Sequence, residues 1–249
     1  MDSRKFGSAA LAMVSVADEY FDVLIKGINA FNKQRPGHAA AMAVLLEQAL
    51  GNLEDVVEEA RPKTLAERYE AFPEGLKKKL ALENGRFYFE VTGSGLHSEK
   101  WPERLKGGGH ELTKWAKDVL SKPDYNKNHL LKAGKVYKLG LVFGTEFAND
   151  PERSTANVQA FARRELGEQA TGPELKGELA LLIREKFTNA ELEVLGLLYI
   201  AVLHSPIVDS DGDPRVLYAG RNDGSYVFAY YVFPESQWGG NGAFAFPAR

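Results

Sequence analysis

The chain has 249 residues, of which 44% are apolar and 26% are charged, with no cysteine and a formal net charge of −3. This length suits one large domain or two small ones with a self-supporting apolar core, so a disordered or collagen-like chain is excluded. Without cysteine, the chain cannot form disulfides, iron–sulfur clusters, thiolate metal sites or a cysteine nucleophile. The net charge predicts no general attraction to nucleic acid or membranes.

The first residues imitate a secretory signal, because Arg4 and Lys5 precede an apolar stretch and residues 15–17 are small. Apolar residues nevertheless recur at helical spacing from Phe6 to Phe31, which favours a retained amphipathic helix. No apolar run reaches the roughly 18 residues that a membrane-spanning helix needs. We therefore expect a cytoplasmic protein with no membrane contact.

Helical patterns continue through the N-terminal third of the chain. A second amphipathic stripe over residues 42–60 follows a short linker, which predicts an antiparallel helical hairpin. Thr64 and Glu67 have capping-box spacing and predict a third helix that ends at Pro73. We expect a helical N-terminal lobe over residues 1–83 and an α+β domain over residues 84–249, as two units or as one continuous domain.

After residue 83 the composition changes, and aromatic and β-branched residues predict strands over residues 86–92 and 135–147. Gly140 and Gly144 share one face of the second strand, so another element can approach closely there. A packed helix is the favoured partner, with a ligand as the alternative. Asp150-Pro151-Glu152 predicts the start of a helix that ends near Gly167.

Two further helices are predicted from about residues 173 and 189, each after a capping-box spacing. The second, continuing to Leu203, is apolar nearly all round and is expected to be the central buried helix. Asp223-Gly224 predicts a hairpin between strands over residues 215–221 and 225–233, and a last short strand is expected over residues 243–246. The helix pair and hairpin outline a winged helix, but leucines and glutamates on the second helix are unsuited to reading DNA bases.

These elements predict an α+β fold. We expect the helical N-terminal lobe to pack on a mixed or antiparallel sheet of four to five strands, with additional helices.

The densest polar cluster follows the predicted central helix. Its members are His204, Asp209, Asp211 and Asp213. Alternate aspartates in a tight loop can converge on a divalent cation, although Pro214 and Gly220 stand where a calcium-binding EF-hand needs glycine and glutamate. A plain turn is the alternative, since Asp, Ser, Gly and Pro are turn residues. Any metal site here must use histidine and carboxylate ligands alone.

A basic segment runs from Lys100 to Lys138, with ten basic residues against four acidic ones, so the rest of the chain carries a net charge of −9. Lysine and arginine neutralise phosphates and aromatic rings stack on bases, so this mixture is suited to single-stranded nucleic acid. A solvated face, or docking on acidic surfaces of the same protein, is the alternative. The candidate polyanion-binding residues are Lys100, Trp101, Arg104, Lys106, Lys114, Trp115, Lys117, Lys127 and Lys132.

Two functions follow from these candidates. The first is a non-catalytic binding protein in a larger assembly, which contacts a protein partner or its own copy and binds a polyanion such as single-stranded nucleic acid through residues 100–138. The alternative is a metal-assisted hydrolase or nuclease built on the loop at 204–213, with a divalent cation as cofactor.

Overall fold

The computed structural model describes residues 64–221 and 224–249. The predicted helices over residues 1–60 and Asp223 of the hairpin turn lie outside the described residues. The helical lobe and the domain division at residue 83 therefore stay predictions. Leu65–Arg249 forms one compact unit.

Helices and short strands alternate along this unit. The helices are α1 Leu65–Glu70, α2 Glu74–Lys77, α3 Trp101–Gly107, α4 Lys114–Ser121, α5 Pro123–Asn128, α6 Thr155–Leu166, α7 Glu178–Lys186 and α8 Asn189–Val194. The strands are β1 Ala81–Glu83, β2 Arg86–Thr92, β3 Glu111–Leu112, β4 Val136–Phe143, β5 Tyr199–Ala201, β6 Ile207–Val208, β7 Pro214–Gly220, β8 Tyr226–Tyr231 and β9 Gly242–Pro247. Within the described residues, no helix is long and apolar enough to cross a membrane.

All nine strands join one mixed sheet in the order β1-β2-β4-β9-β5-β7-β8-β3, with β6 paired to β7. The pairs β5–β9 and β3–β8 are parallel, and the other pairs are antiparallel. The expected α+β class is confirmed, but the expectation of four to five strands is wrong. The additional strands β1, β3, β5 and β6 have only two or three residues each, too few to show an alternating pattern.

The first of these additional strands corrects the expectation of helix up to residue 83. Asn84 and Gly85 both have positive φ, 50° and 72°, as a two-residue type I′ hairpin turn requires. The turn pairs Glu83 with Arg86 and adds β1 to the edge of β2. The dipeptide Asn-Gly was the local signal for this hairpin.

Helix α8 ends at Val194, so the expectation of a central helix continuing to Leu203 is wrong. The N–H of Leu197 donates to the carbonyl of Leu192, and Gly196, with φ of 72°, donates to Glu193. These two bonds form a Schellman motif, which closes a helix around a glycine in the left-handed conformation. The apolar residues that follow enter the sheet as β5, where they are buried between two neighbouring strands.

The central helix is instead α7, which packs on the sheet and is buried from Glu178 to Arg184. The carboxylate of Glu178 accepts hydrogen bonds from the backbone N–H groups of Ser94, Gly95 and Leu131. At the other end, Arg184 donates to the carbonyls of Gly220 and Phe187. Both charged residues therefore have hydrogen-bond partners inside the core.

The two glycines predicted to allow close approach do so with different partners. A Cβ on Gly140 would lie 2.7 Å from a methyl carbon of Leu166, the last residue of α6, so the favoured packed helix is confirmed there. Strand β4 ends at Phe143, earlier than expected, and Gly144 begins a 3-10 turn. A Cβ on Gly144 would lie 2.9 Å from the backbone carbonyl oxygen of Gly239.

We expect Gly144→Ala to lower the free energy of unfolding by about 1–3 kcal/mol, because backbone atoms cannot rotate away as a side chain can. Gly75→Ala is the matched control, since Gly75 lies in α2 with open space around it. That change should be neutral or stabilising by up to about 1 kcal/mol, through helix propensity. Urea unfolding of both variants measures the difference, and equal stabilities would contradict the close approach at Gly144.

Candidate functional site

The middle of the basic segment forms helix α4, which packs on β8 at one end of the sheet. Thr113 caps the helix by accepting a hydrogen bond from the N–H of Ala116. The buried positions Ala116, Val119 and Leu120 turn one face of α4 to the core. Lys114 and Lys117, three residues apart, therefore lie on its exposed side.

Beside α4, the guanidinium of Arg215 on β7 lies between two aromatic rings. Its central carbon is 4.2 Å from the ring centre of Trp115 and 3.9 Å from that of Tyr231. Arg215 is opposite Tyr231 in the β7–β8 register, so the sheet itself sets one of these contacts. Arg215 is only 2% exposed, whereas Tyr231 is 41% exposed. We call Trp115, Arg215 and Tyr231 the aromatic platform.

The platform also has an external cation. The ammonium of Lys114 lies 5.0 Å from the ring centre of Trp115, within the range of a cation–π interaction. The tryptophan thus contacts one buried and one exposed positive charge. An aromatic surface edged by cations is suited to a planar, negatively charged ligand.

The counter-ion of Arg215 is Asp209, one of the residues predicted as a metal ligand. Its carboxylate is ion-paired with the Arg215 guanidinium and accepts hydrogen bonds from the N–H groups of Asp211 and Asp213, both at 2.9 Å. Burial opposes ionisation of Asp209, but Arg215 and the two N–H donors outweigh it and hold the pKa of this carboxyl below its usual value. Asp209 therefore neutralises the buried guanidinium of the platform and holds it in place.

The loop around Asp209 is also joined to the basic segment. The N–H and hydroxyl of Ser210 both donate to the carboxylate of Asp118 on α4, and Lys122 donates to the Ser210 hydroxyl. These bonds hold the loop, α4 and β7 in one arrangement. The two candidate sites of the sequence are therefore parts of the same structure.

The four predicted metal ligands do not converge on one point. His204 is 2% exposed, with Nδ1 donating to the carbonyl of Ser205 and Nε2 accepting from the N–H of Leu217. Asp211 is exposed and Asp213 is half-buried. Across residues 64–221 and 224–249, no three histidine or acidic side chains are placed to hold a metal ion. The donor atoms of His204 and Asp209 are already engaged within the protein, so they do not fit a divalent cation.

The predicted polyanion-binding residues divide into four groups. Trp101 is fully buried, with its indole N–H donating to Leu96, so its ring cannot meet a ligand. Arg104 forms a two-point ion pair with Glu185 at 2.6 and 2.7 Å, and Lys114 and Trp115 belong to the platform region. The remaining lysines are exposed and form no ion pair within the described residues: Lys100, Lys106, Lys117, Lys127 and Lys132.

Arg215 and Tyr231 were not among the sequence candidates. They lie about 100 residues beyond α4 in the chain, and only the packing of α4 on the hairpin brings them to Trp115. No residue type or spacing along the chain indicated this contact, because the exposure of Tyr230 and Tyr231 at the end of β8 is itself a result of the fold.

Behind the loop, His204 and His129 form a buried pair with ring centres 4.8 Å apart. Burial lowers the pKa of His204 to about 3, and the neighbouring His129 adds to the shift. Burial also lowers the pKa of His129, against the opposing charge of Asp124. Both rings are therefore neutral at pH 7.

Because the folded-state pKa of each histidine lies below the usual value of about 6.5, the unfolded chain binds more protons as the pH falls below that value. We expect the free energy of unfolding to decrease between pH 6.5 and pH 5 by up to about 1.4 kcal/mol per pH unit for each histidine. His204→Gln should flatten this dependence, whereas His97→Gln, at an exposed position, should not. Urea unfolding at several pH values measures the slopes, and identical slopes for the two variants would contradict the buried neutral pair.

The ion pair between Asp209 and Arg215 gives a second prediction. Asp209→Asn leaves the buried Arg215 guanidinium with the more distant Asp213 carboxylate, at 4.0 Å, as its acidic partner among the described residues, which should cost about 3–5 kcal/mol of stability. Combining Asp209→Asn with Arg215→Met removes the buried positive charge and should restore part of that stability. Asp211→Asn, in the same loop but exposed, should change stability by less than about 0.5 kcal/mol. Denaturant unfolding of the four proteins tests the pair, which is refuted if Asp209→Asn and Asp211→Asn behave alike.

Comparison with known proteins assigns no family to this chain. It matches no protein-family model, no curated protein and no solved structure. The function is therefore inferred from the chain's own residues.

Proposed function

We propose that this chain is a non-catalytic binding protein that holds single-stranded nucleic acid on the aromatic platform. The observation that carries the proposal is the Arg215 guanidinium, held at 4.2 and 3.9 Å between Trp115 and Tyr231. A buried cation keeps the two rings in place, while Tyr231 remains 41% exposed for contact with a base. Stacking of this kind tolerates any base, so we expect little sequence preference.

Charge near the platform supports the same ligand. Lys114 and Lys117 lie on the exposed side of α4, and Lys117 has no ion pair within the described residues. Exposed lysines beside a stacking ring can follow the phosphates of a strand whose base lies on Tyr231. A duplex hides the faces of its bases, so a single strand fits this surface better.

The assembly part of the proposal rests on apolar side chains near the platform. Val208 on β6 and Phe233, two residues after Tyr231, are 56% and 43% exposed. Apolar groups on a surface favour contact with a protein partner or a second copy of this chain. We propose the cytoplasm as the place of this assembly. The described residues do not favour the metal-assisted hydrolase or nuclease, because the Asp209 carboxylate is paired with Arg215 and no three histidine or acidic side chains among them are placed to hold a metal ion.

Fluorescence anisotropy with a labelled oligo(dT) and a labelled oligo(rU) tests the proposal. Tyr231→Ala should weaken binding by about 1–3 kcal/mol, and Tyr231→Phe should retain most of the affinity, because the ring supplies the stacking surface. Tyr230→Ala is the matched control, since Tyr230 is 44% exposed but points to the opposite face of β8.

The salt dependence of the same titrations tests the lysines. Replacing Lys114 or Lys117 by glutamine should reduce the slope of log K against log salt by about 0.7 for each phosphate that the lysine neutralises. Lys135→Gln removes an exposed lysine that is already paired with Glu174 and should leave the slope unchanged. The proposal fails if the unaltered protein binds neither strand at low salt, or if Tyr230→Ala weakens binding as much as Tyr231→Ala.

A further inference from the structure

A concave site lies at the opposite edge of the sheet from the platform. It is a cavity of about 240 Å³ next to β1 and β2. Four lysines from separate parts of the fold line it: Lys78 and Lys79 after α2, Lys138 on β4, and Lys186 at the end of α7. Four lysines therefore lie around one small cavity, and Glu83 and Glu90 belong to the same lining.

Two of these lysines already have partners. The ammonium of Lys79 donates to the carbonyl of Lys186 at 2.7 Å and to the carboxylate of Glu191 at 2.9 Å. The ammonium of Lys138 donates to Glu83 at 2.7 Å and lies 4.7 Å from the ring centre of Tyr88. These contacts fix the positions of both side chains in the cavity wall.

The other two lysines, Lys78 and Lys186, form no ion pair within the described residues. Lys186 is half-buried, and the carboxylates of Glu90 and Glu191 act on it at longer range. Burial lowers the pKa of the Lys186 ammonium, and the charge of Lys79 adds to the effect. A half-buried ammonium next to a like charge is in an unfavourable environment that an anion would relieve.

We propose that this cavity binds a small phosphate-type dianion, held mainly by Lys78 and Lys186. Lysine binds phosphate as a mobile point charge, and two free ammonium groups match the two charges of a phosphate monoester. Inorganic pyrophosphate carries more negative charge and serves as a probe of the same phosphate chemistry without an organic part. The carboxylates of Glu83 and Glu90 lie in the same wall and disfavour larger polyanions, which would bring more negative charge against them.

Tyr88 extends the site beyond the anion. Its ring lines the cavity and carries the Lys138 ammonium on one face, so it can receive the organic part of a phosphate monoester. A free inorganic anion would gain nothing from this ring. The site does not depend on the proposed nucleic-acid binding, because its residues and those of the platform lie at opposite edges of the sheet.

Isothermal titration of the full chain with inorganic pyrophosphate and with adenosine monophosphate tests the site. We expect one binding event with each, weakened roughly tenfold or more by Lys186→Gln or Lys78→Gln, because each removes a charged contact. Lys117→Gln, at the platform, should have no effect here, and Lys186→Gln should not change binding of oligo(dT). Tyr88→Leu should weaken the binding of adenosine monophosphate but not the binding of pyrophosphate. If Tyr88→Leu changes the two affinities equally, the ring does not contact the organic part, and the site binds the anion alone.

A second measurement avoids substitution altogether. Acetylation with a limiting amount of an N-hydroxysuccinimide ester, mapped by mass spectrometry, should modify Lys186 rapidly. Pyrophosphate should slow the acetylation of Lys186 but should not change the acetylation of Lys117. Absence of pyrophosphate binding, absence of protection at Lys186, or equal weakening in Lys186→Gln and Lys117→Gln would each overturn the proposal. Failure of the platform would instead appear only in the oligonucleotide titrations.

Discussion

Burial of α7 is the constraint on which the rest of the described structure depends. The helix packs on β7, β2, β8 and β5, so strands from distant parts of the chain must come together around it. Its apolar residues account for that packing, but Glu178 and Arg184 must enter the core with them. A buried charge without partners would cost several kcal/mol, so the loops around 94 and 131 and the end of β7 must supply hydrogen bonds.

The Glu178 carboxylate has more hydrogen-bond partners than the Arg184 guanidinium. Four donor groups converge on the Glu178 carboxylate, including the hydroxyl of Ser94 at 2.7 Å. Arg184 has two carbonyl acceptors, its Nε has no partner within the described residues, and burial lowers its pKa to about 10. Glu178, at the first turn of α7, therefore holds the loops around residues 94 and 131 against the core, whereas Arg184 is bound to the end of β7 through Gly220.

The sheet that α7 organises ends in very short strands, β1 with three residues and β3 with two. Short edge strands limit pairing with other chains, which leaves side chains at the edges available for ligands. One edge carries the aromatic platform beside exposed lysines, and the other carries the lysine-lined cavity. The two edges thus present different chemistry, a flat stacking surface and a small concave charged site.

Much of the local structure could be predicted from the sequence. The expected strand over residues 86–92 is β2 to the residue, and the capping box of Thr188 and Glu191 starts α8. Such features depend on neighbours in the chain, so residue type and spacing suffice to predict them. The same reasoning failed after Gly196, because a run of apolar residues fits a buried helix and a buried strand equally well.

The candidate sites depend on contacts between distant parts of the chain. By itself, the sequence determined the α+β class, the exclusion of cysteine chemistry, the basic segment and the polar loop at 204–213. Only the tertiary structure decided that Trp101 is buried, that Trp115 meets Arg215 and Tyr231, and that Asp209 neutralises Arg215. The physical reason is that a carboxylate or a ring acquires its role from the charge it meets in space, and here that charge, Arg215, lies on β7, outside the loop of Asp209 and the helix of Trp115.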